Sequence, residues 1–258
     1  MIIFVRNGER DFKYDGLTQM GSQQALKRAK EIKTLIKDYC KEIEVEDSDI
    51  NLTICSSPFR KCLETADIIK TNIVSKQLKF KKKNDKIFTQ YELGDYQHPN
   101  ICSKEEINLD YANTYLKSVT KENLIDPKLL PQNNYKKESL EQVEERIASF
   151  IYQAIHKLQE NKDNTKQIYI IVTHKFAIEI LVDIFEGSRE ISESGLIAIK
   201  YQYDKTFKIS FVGKVFRSTE KKYIDDEQQF EDYQQYSSGD EKQEEQEEQE
   251  EQQNEENF

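Results

Sequence analysis

The sequence has few of the features that mark secreted, metal-binding or membrane proteins. Its four cysteines show no paired metal-ligand spacing, so we expect reduced thiols in the cytosol. No apolar run reaches the roughly 18 residues that a membrane-spanning helix needs. The first apolar run, Ile2–Val5, begins directly after Met1 and leaves no room for a targeting segment. These absences predict a cytoplasmic protein with no membrane partner, alone or within a larger or cytoskeletal assembly.

The charge is unevenly divided along the chain. The whole chain has 38 basic and 48 acidic residues, a net charge of −10, but residues 218–258 hold 16 acidic and 3 basic residues. Residues 1–217 are therefore close to neutral, with 35 basic and 32 acidic residues. A nucleic-acid surface needs clustered Lys and Arg, so we expect no nucleic-acid partner. We predict a folded domain over 1–217 and an acidic tail over 218–258.

The tail is rich in Glu and Gln, above all from Asp240 to Gln253. It has too few apolar residues to offset the entropy cost of ordering, so we expect it to be disordered. The alternative is a docking arm for a basic surface of a protein partner. Aromatic residues just before the Glu/Gln repeats could anchor such an arm: Tyr223, Phe230, Tyr233 and Tyr236.

Short apolar strands alternate with amphipathic helices along residues 1–217. The pattern predicts strands at 2–5, 52–55, 79–88, 168–172, 195–202 and 206–213. It predicts helices from 19 to about 36, from 56–58 to 69, around 104–118, from 139 to 158 and at 176–185. Such alternation is typical of an α/β fold, a three-layer αβα sandwich with a mostly parallel central sheet.

Polar residues follow three of the predicted strands. Asn7 comes after the first strand, Ser56-Ser57 after the second, and His174 after the apolar run at 168–172. Ligands of parallel sheets bind beyond the carboxyl ends of the strands, so we expect these residues to meet at one site. Taken alone, Asn7-Gly8 is also typical of a hairpin turn.

Five ordered motifs carry a resemblance to a known family. Phe4–Arg10 is similar to the opening motif of the histidine phosphatase superfamily, with Asn where that motif has His. Leu17–Ala25 resembles its Leu-Thr-x-x-Gly-x-x-Gln-Ala stretch, and Cys55–Ala66 its Ser-Ser-Pro-x-x-Arg-x-x-x-Thr-Ala segment. Glu138-Ser139 with Arg146, and Val172–His174, are similar to the last two motifs. The resemblance implies a phosphoglycerate mutase-like fold, and Arg6–Arg10 with Cys62 most resembles the Sts/TULA and ecdysteroid-phosphate phosphatase branch.

The resemblance also implies roles for individual residues. Family members pass a phosphoryl group through the first histidine, which corresponds to Asn7, without a metal or another cofactor. Arg6, His174 and the second-segment arginine, which falls on Lys61 with Arg60 one residue away, would hold the phosphoryl oxygens. Glu92 is the candidate proton donor, with an exposed glutamate of no special role as the alternative. Lys175 follows His174 where the family has a small residue, so it would fill the pocket or add a cation.

Asn7 is the main departure from the family pattern. An amide nitrogen has a delocalised lone pair and does not titrate near neutrality, so it is a poor substitute for imidazole. His98, in an irregular segment, and His156, on a long helix, are poor replacements. We therefore expect a catalytically inactive protein that binds a phosphorylated ligand or acts as a scaffold in a protein assembly.

Two other functions stay open at this point. The chain could be a phosphomonoesterase that uses His174 as nucleophile, water activated by Glu92, or an aspartate formed by deamidation of Asn7. It could also be a mutase or sugar-phosphate enzyme of the same fold, although a mutase depends most strongly on the residue that Asn7 replaces. Fold kinship does not decide between them, because function depends on the site.

Overall fold

The structure, a computed structural model, describes most of the first 216 residues. The chain divides into two units, Met1–Arg217 and Ser218–Phe258, and all described residues lie in the first. The predicted helix around 104–118 and the predicted acidic tail lie outside the described residues. The structure describes residues 1–11, 16–74, 78, 80–83, 86–94, 119–120, 122, 124–126, 128, 138–160, 166–185, 190–191, 195–201, 207–212 and 215–216.

Strands and helices alternate, as the sequence predicts. Two short 3-10 turns, Asp47–Asp49 and Tyr91–Leu93, lie between the regular elements. The elements in chain order are β1 (Ile2–Arg6), α1 (Gln19–Glu42), β2 (Asn51–Ser56), α2 (Arg60–Ile73), β3 (Lys82–Lys83), β4 (Ile87–Thr89), β5 (Val119–Thr120), α3 (Leu140–Glu160), β6 (Gln167–Thr173), α4 (Lys175–Phe185), β7 (Glu190–Ile191), β8 (Leu196–Tyr201), β9 (Phe207–Val212) and β10 (Val215–Phe216).

The central sheet is mostly parallel. Its strand order is β5-β4-β2-β6-β1-β8-β9, and β3 pairs with the beginning of β2. All pairs from β5 to β1 are parallel, whereas β8 runs antiparallel to β1 and forms an antiparallel pair with β9. The two late strands that the sequence predicts, at 195–202 and 206–213, are therefore present as an antiparallel pair. A separate antiparallel pair joins β7 and β10.

Helices cover both faces of the sheet, which gives the predicted three-layer sandwich. On one face, α1 and α2 pack against Ile3, Ile54 and Ile170. On the other face, α3 and α4 pack against Phe4 and Ile171. Because both faces of β1 and β6 are buried, these strands are nearly continuous apolar runs rather than alternating ones. In the part of the chain that the structure describes, no helix is long and apolar enough to span a bilayer.

Side chains cap the first turns of α1 and α3. The Thr18 hydroxyl accepts a hydrogen bond of 2.9 Å from the Gly21 amide at the start of α1. At the start of α3, the Ser139 hydroxyl accepts from the Gln142 amide at 3.3 Å, and the Gln142 side chain accepts from the Ser139 amide at 2.9 Å. This reciprocal capping box satisfies two amides that the helix itself leaves without partners.

Two predicted boundaries are wrong. Within the predicted strand at 79–88 the structure describes the short strands β3 and β4, and Lys81 and Lys86 lie outside them. Lysine is a weak strand former, which favours short strands here. The helix expected to start at 56–58 begins only at Arg60. Ser56 instead pairs with Val172 in the sheet, so the chain leaves β2 one residue later than predicted.

Candidate functional site

Three strand ends meet at one edge of the sheet, as the sequence predicts. Strand β6 lies between β1 and β2, and the backbone amide of Asn7 donates to the Thr173 carbonyl at 2.9 Å. On the other side, the Ser57 amide donates to the Val172 carbonyl at 2.9 Å. Asn7 and Ser57 therefore flank His174. We call the group of Arg6, Asn7, Ser57, Lys61, Cys62, Glu92 and His174 the strand-end site.

His174 is held tightly by residues of the motif Cys55–Ala66. Its side chain is 1 % exposed, and its Nε2 lies 2.7 Å from the Ser57 hydroxyl. The Cys62 sulfur lies 3.5 Å from Nε2 and 3.7 Å from Nδ1. The edge of the Phe59 ring meets the imidazole at a centroid distance of 5.1 Å. These contacts fix the position of the imidazole, and they show that Ser57 and Cys62 belong to the site.

The loop that carries Asn7 is tied to α2. The Asn7 side-chain amide donates to the Gly8 carbonyl at 2.8 Å. The Gly8 amide donates to the Thr65 hydroxyl at 3.2 Å, and that hydroxyl donates to the Lys61 carbonyl at 2.7 Å. Thr65, the threonine of the motif Cys55–Ala66, therefore links the backbone of Asn7-Gly8 to the turn of α2 that carries Lys61.

The same loop crosses the first turn of α1 at very short range. A Cβ on Gly21 would lie 2.1 Å from the Glu9 carbonyl oxygen, so the crossing leaves no space for a side chain there. The Glu9 amide donates to the Gln24 side chain at 2.8 Å, and the Glu9 carboxylate accepts from the Thr18 hydroxyl at 2.9 Å. The spacing of Thr18, Gly21 and Gln24 thus serves to hold the loop that presents Asn7.

Lys61 rather than Arg60 is the buried cation at the start of α2. Lys61 is 3 % exposed, and its ammonium lies 5.8 Å from the centroid of the Phe59 ring that contacts His174. The Arg60 side chain is 37 % exposed and forms an ion pair of 2.8 Å with Glu64. Lys61 gives the site a positive charge, but its ammonium cannot bind two oxygens side by side as the planar guanidinium of arginine does.

Glu92 is buried, so the alternative of an exposed glutamate is wrong. It lies in the 3-10 turn after β4, is 3 % exposed, and its carboxylate accepts a hydrogen bond from the Gln90 side chain. Gln90 is itself fixed, because its side-chain oxygen accepts from the Ile125 amide at 2.9 Å. Burial raises the pKa of the nearby Cys55 thiol, and the charge of Glu92 raises it further.

The remaining candidates lie at the rim or elsewhere. Arg6 ends β1 with a partly buried side chain, and its amide donates to the Gly195 carbonyl at 2.8 Å. Lys175 is the first residue of α4, and its ammonium lies 3.5 Å from the Glu179 carboxylate. His156 is exposed on α3, and His98 lies outside the described residues. Among the residues described, no cluster of three or more potential metal ligands occurs.

The sequence reasoning missed the role of a buried ion pair behind Glu92. Arg146 forms two hydrogen bonds of 2.8 Å with the Glu138 carboxylate, and both side chains are buried. Arg146 also donates to the Glu92 carbonyl at 2.6 Å and to the Gly94 carbonyl at 3.1 Å. The available signals were the motif Glu138-Ser139 with Arg146 and the place of Arg146 on the apolar face of α3, between Val143 and Phe150. A charge on such a face needs a buried partner.

The comparison with protein families decides the kinship of this chain. The profile described as "Histidine phosphatase superfamily (branch 1)" matches residues 2–199. The chain belongs to the histidine phosphatase superfamily. Its motifs at Asn7, Ser57 and His174 all lie within the matched range, and the fold is phosphoglycerate mutase-like. No curated protein matches the sequence.

Solved structures of this fold resemble the chain at low sequence identity. A mycobacterial hydrolase is 12 % identical with a TM-score of 0.48, and the match covers 83 % of this chain and 98 % of that one. For an Escherichia coli protein described as a putative alpha-ribazole-5'-P phosphatase, the values are 16 %, 0.46, 83 % and 95 %. For a mycobacterial glucosyl-3-phosphoglycerate phosphatase with VO3, they are 13 %, 0.46, 81 % and 97 %. At these distances, none of the substrates carries over to this histidine phosphatase superfamily member.

The site combines positive charge, hydrogen-bond donors and a buried histidine at the ends of parallel strands. Arg6 and Lys61 supply positive charge, and the Ser57 hydroxyl and the Cys62 thiol lie against His174. Such an arrangement can attract an anionic ester. Chemistry on that ester further requires a nucleophile with an accessible lone pair.

Proposed function

We propose that this chain is a pseudophosphatase: a histidine phosphatase superfamily member that has Asn7 in place of the nucleophilic histidine and does not turn over phosphate esters. It acts instead as a phosphate-ester-binding or scaffold component of a protein assembly. The observation that carries the proposal is the position of Asn7. It follows β1 directly, and its backbone amide donates to the carbonyl of Thr173, the residue before His174. A nucleophile has to lie beside the second histidine, and the residue there is an amide.

The chemistry of the amide supports the absence of turnover. The nitrogen lone pair of Asn7 is delocalised, so it does not form a stable phosphoryl intermediate as imidazole does. Its Nδ2 also donates a hydrogen bond to the Gly8 carbonyl. Loss of a nucleophile lowers the rate of covalent enzymes by factors on the order of 10⁴–10⁶.

Neither of the two other candidate groups is well placed to replace a nucleophile. The His174 imidazole is buried, with Ser57 against Nε2 and Cys62 close to both ring nitrogens. The Glu92 carboxylate is buried too and accepts a hydrogen bond from Gln90. To act as a nucleophile, His174 would have to leave its present partners, and the same holds for Glu92 if it is to activate a water. Both side chains have little access to solvent.

Binding of a phosphate ester remains compatible with the site. Arg6 is partly buried at the end of β1, and its guanidinium can hold two phosphate oxygens. Lys61 adds a buried charge but provides a single ammonium, so the grip on phosphate is weaker than that of an arginine. Lys175 at the rim adds a further cation. Within the superfamily we place the chain in the Sts/TULA and ecdysteroid-phosphate phosphatase branch, on the motif Arg6–Arg10 and Cys62.

The scaffold part of the proposal rests on the acidic tail. Residues 218–258 carry a net charge of −13, which suits a basic surface of a protein partner. We place this complex in the cytoplasm. The test is affinity capture with the full chain and with a chain ending at Arg217. Partners that bind only the full chain support the scaffold role, whereas identical partners for both chains contradict it.

The catalytic and binding parts are tested together on the full chain. We expect no hydrolysis of a generic phosphomonoester above background, and saturable binding of inorganic phosphate in a calorimetric titration. Arg6→Gln should abolish that binding, and Lys37→Gln, at an exposed position of α1, should leave it unchanged. Turnover by the native chain would overturn the pseudophosphatase reading. Equal phosphate binding by Arg6→Gln would remove the strand-end site as the binding place.

A further inference from the structure

Arg146 is the most deeply buried charged residue in the described part of the chain. It is 0 % exposed on the apolar face of α3, and each of its three guanidinium nitrogens donates a hydrogen bond. One edge of the guanidinium pairs with the two carboxylate oxygens of Glu138, which lies just before α3. The remaining nitrogen, Nη1, points away from that pair and reaches the chain after β4.

Three consecutive carbonyls of that chain segment are held from two sides. Nη1 of Arg146 donates to the carbonyl oxygens of Glu92, at 2.6 Å, and Gly94, at 3.1 Å. The carbonyl between them, that of Leu93, accepts a hydrogen bond of 3.0 Å from the Thr173 hydroxyl. Thr173 is the last residue of β6 and directly precedes His174. The segment that carries Glu92 is therefore attached both to α3 and to the strand that carries His174.

Stability alone is a weak explanation for this arrangement. A buried ion pair is often no more stabilising than apolar residues of the same volume, because both charges lose their hydration. What the pair does provide is directional geometry: a planar fork that binds a carboxylate along one edge and two carbonyls through another nitrogen. A lysine in the same place cannot make both sets of hydrogen bonds.

We infer that Arg146 is a positioning residue of the strand-end site. With Glu138 as its counter-charge and Thr173 as the second donor, it fixes the segment 92–94 against the end of β6. The relative position of Glu92 and His174 is set by this clamp of Glu138, Arg146 and Thr173. The inference goes beyond the proposed function, because the clamp sets the geometry of the site whether or not a phosphate ester binds.

The test follows the His174 ring signals of the full chain by two-dimensional NMR. The signals are assigned by their loss in His174→Gln. Arg146→Lys keeps the charge and removes the fork, and Glu138→Gln removes the counter-charge, whose hydrogen bonds go to Arg146. The matched controls are Arg28→Lys and Glu31→Gln, which alter a buried arginine and its ion-pair partner on α1. Circular dichroism reports whether each variant is folded.

We expect Arg146→Lys and Glu138→Gln to shift the backbone amide signals of 92–94 and the ring signals of His174 together. The two controls should leave the His174 signals at their wild-type positions. The inference is overturned if a folded Glu138→Gln or Arg146→Lys shifts the amides of 92–94 while His174 is unchanged. It is equally overturned if the controls move His174 as much. The signals are recorded without phosphate, so a failure to bind phosphate affects the proposed function and not this result.

Discussion

The Ser57 hydroxyl lies 2.7 Å from Nε2 of His174, although the two residues are 117 positions apart in the sequence. The contact arises because β2 and β6 are parallel neighbours in the sheet, so Ser57 and His174 follow strands that end at the same edge. Both side chains are buried, so the hydrogen bond has no water to compete with it. This contact gives the strand-end site its fixed histidine and leads to the first prediction.

Ser57→Ala should lower the free energy of unfolding by about 1–3 kcal/mol, because it leaves a buried imidazole nitrogen without its partner. Urea unfolding measures the loss. The control is the same substitution in a His174→Phe background, where no partner is left to lose and the cost should be smaller. Equal costs in both backgrounds would mean that the hydrogen bond does not contribute to stability.

Gly21→Ala should destabilise the protein by about 1–3 kcal/mol, the usual cost of forcing extra atoms into a packed site. A glycine inside an ordinary helix gives the opposite result, since alanine there is favoured by about 1 kcal/mol. The sign decides, because the added Cβ would lie 2.1 Å from the Glu9 carbonyl oxygen. Urea unfolding of Gly21→Ala beside Gln23→Ala, at an exposed position of α1, makes the comparison. A stabilised Gly21→Ala would contradict the close crossing.

Asn7-Gly8 should resist deamidation in the folded protein, although the pair is prone to it in flexible chains. The reaction needs the Gly8 nitrogen to turn and attack the Asn7 side-chain carbon. That nitrogen donates to the Thr65 hydroxyl, and Gly8 is packed on the backbone of Gly21. Peptide mapping after prolonged incubation should find Asn7 intact in buffer and converted in urea. Equal conversion in both would favour the aspartate alternative for the catalytic group.

Stability should fall at high pH because of Tyr39. Burial raises the pKa of this phenol from 10.0 to about 12, and the charge of Glu42 adds to the shift. The unfolded chain ionises first, so the contribution of Tyr39 is complete below pH 10 and is lost as the pH rises from 10 to about 12. The full loss is roughly 2–3 kcal/mol.

Urea unfolding between pH 9 and about 11.5 checks the Tyr39 prediction. Because other groups also titrate in this range, variants are needed to isolate the contribution of Tyr39. Tyr39→Phe should flatten the decline, and Tyr152→Phe, at an exposed position of α3, should leave it unchanged. A decline that is the same in the native chain and in Tyr39→Phe would assign the pH dependence to other groups.

Much of the fold follows from local patterns in the sequence. The runs at Ile2–Val5 and Ile168–Val172 are apolar throughout because both faces of their strands are buried, and a parallel central sheet follows from that. The meeting of Asn7, Ser57 and His174 follows as well, because each comes directly after a strand. The prediction for the segment 79–88 is wrong because β3 and β4 each pair with β2 over only two residues. The lysines of the segment also leave no clear apolar pattern for these short strands.

The contacts around the site depend on tertiary structure that no local pattern contains. Whether Arg60 or Lys61 points inward depends on where α2 begins after β2, which the sequence alone placed too early. The clamp of Glu138, Arg146 and Thr173 joins three separate segments. The sequence indicated it only through the motif Glu138-Ser139 with Arg146 and the place of Arg146 on an apolar helix face. Sequence patterns thus predict which strand ends form the site, and the packing of α2 and α3 determines how its side chains are held.

The most direct test of the central claim is hydrolysis of a phosphomonoester by the native chain, Asn7→His and Asn7→His/His174→Ala. Asn7 lies beside His174 at the edge of the sheet, so a histidine there would lie at the nucleophile position of the superfamily. We predict no hydrolysis by the native chain, hydrolysis by Asn7→His, and loss of that hydrolysis in the double variant. Hydrolysis by the native chain that His174→Ala abolishes would contradict it, and would make this protein an enzyme with a displaced nucleophile.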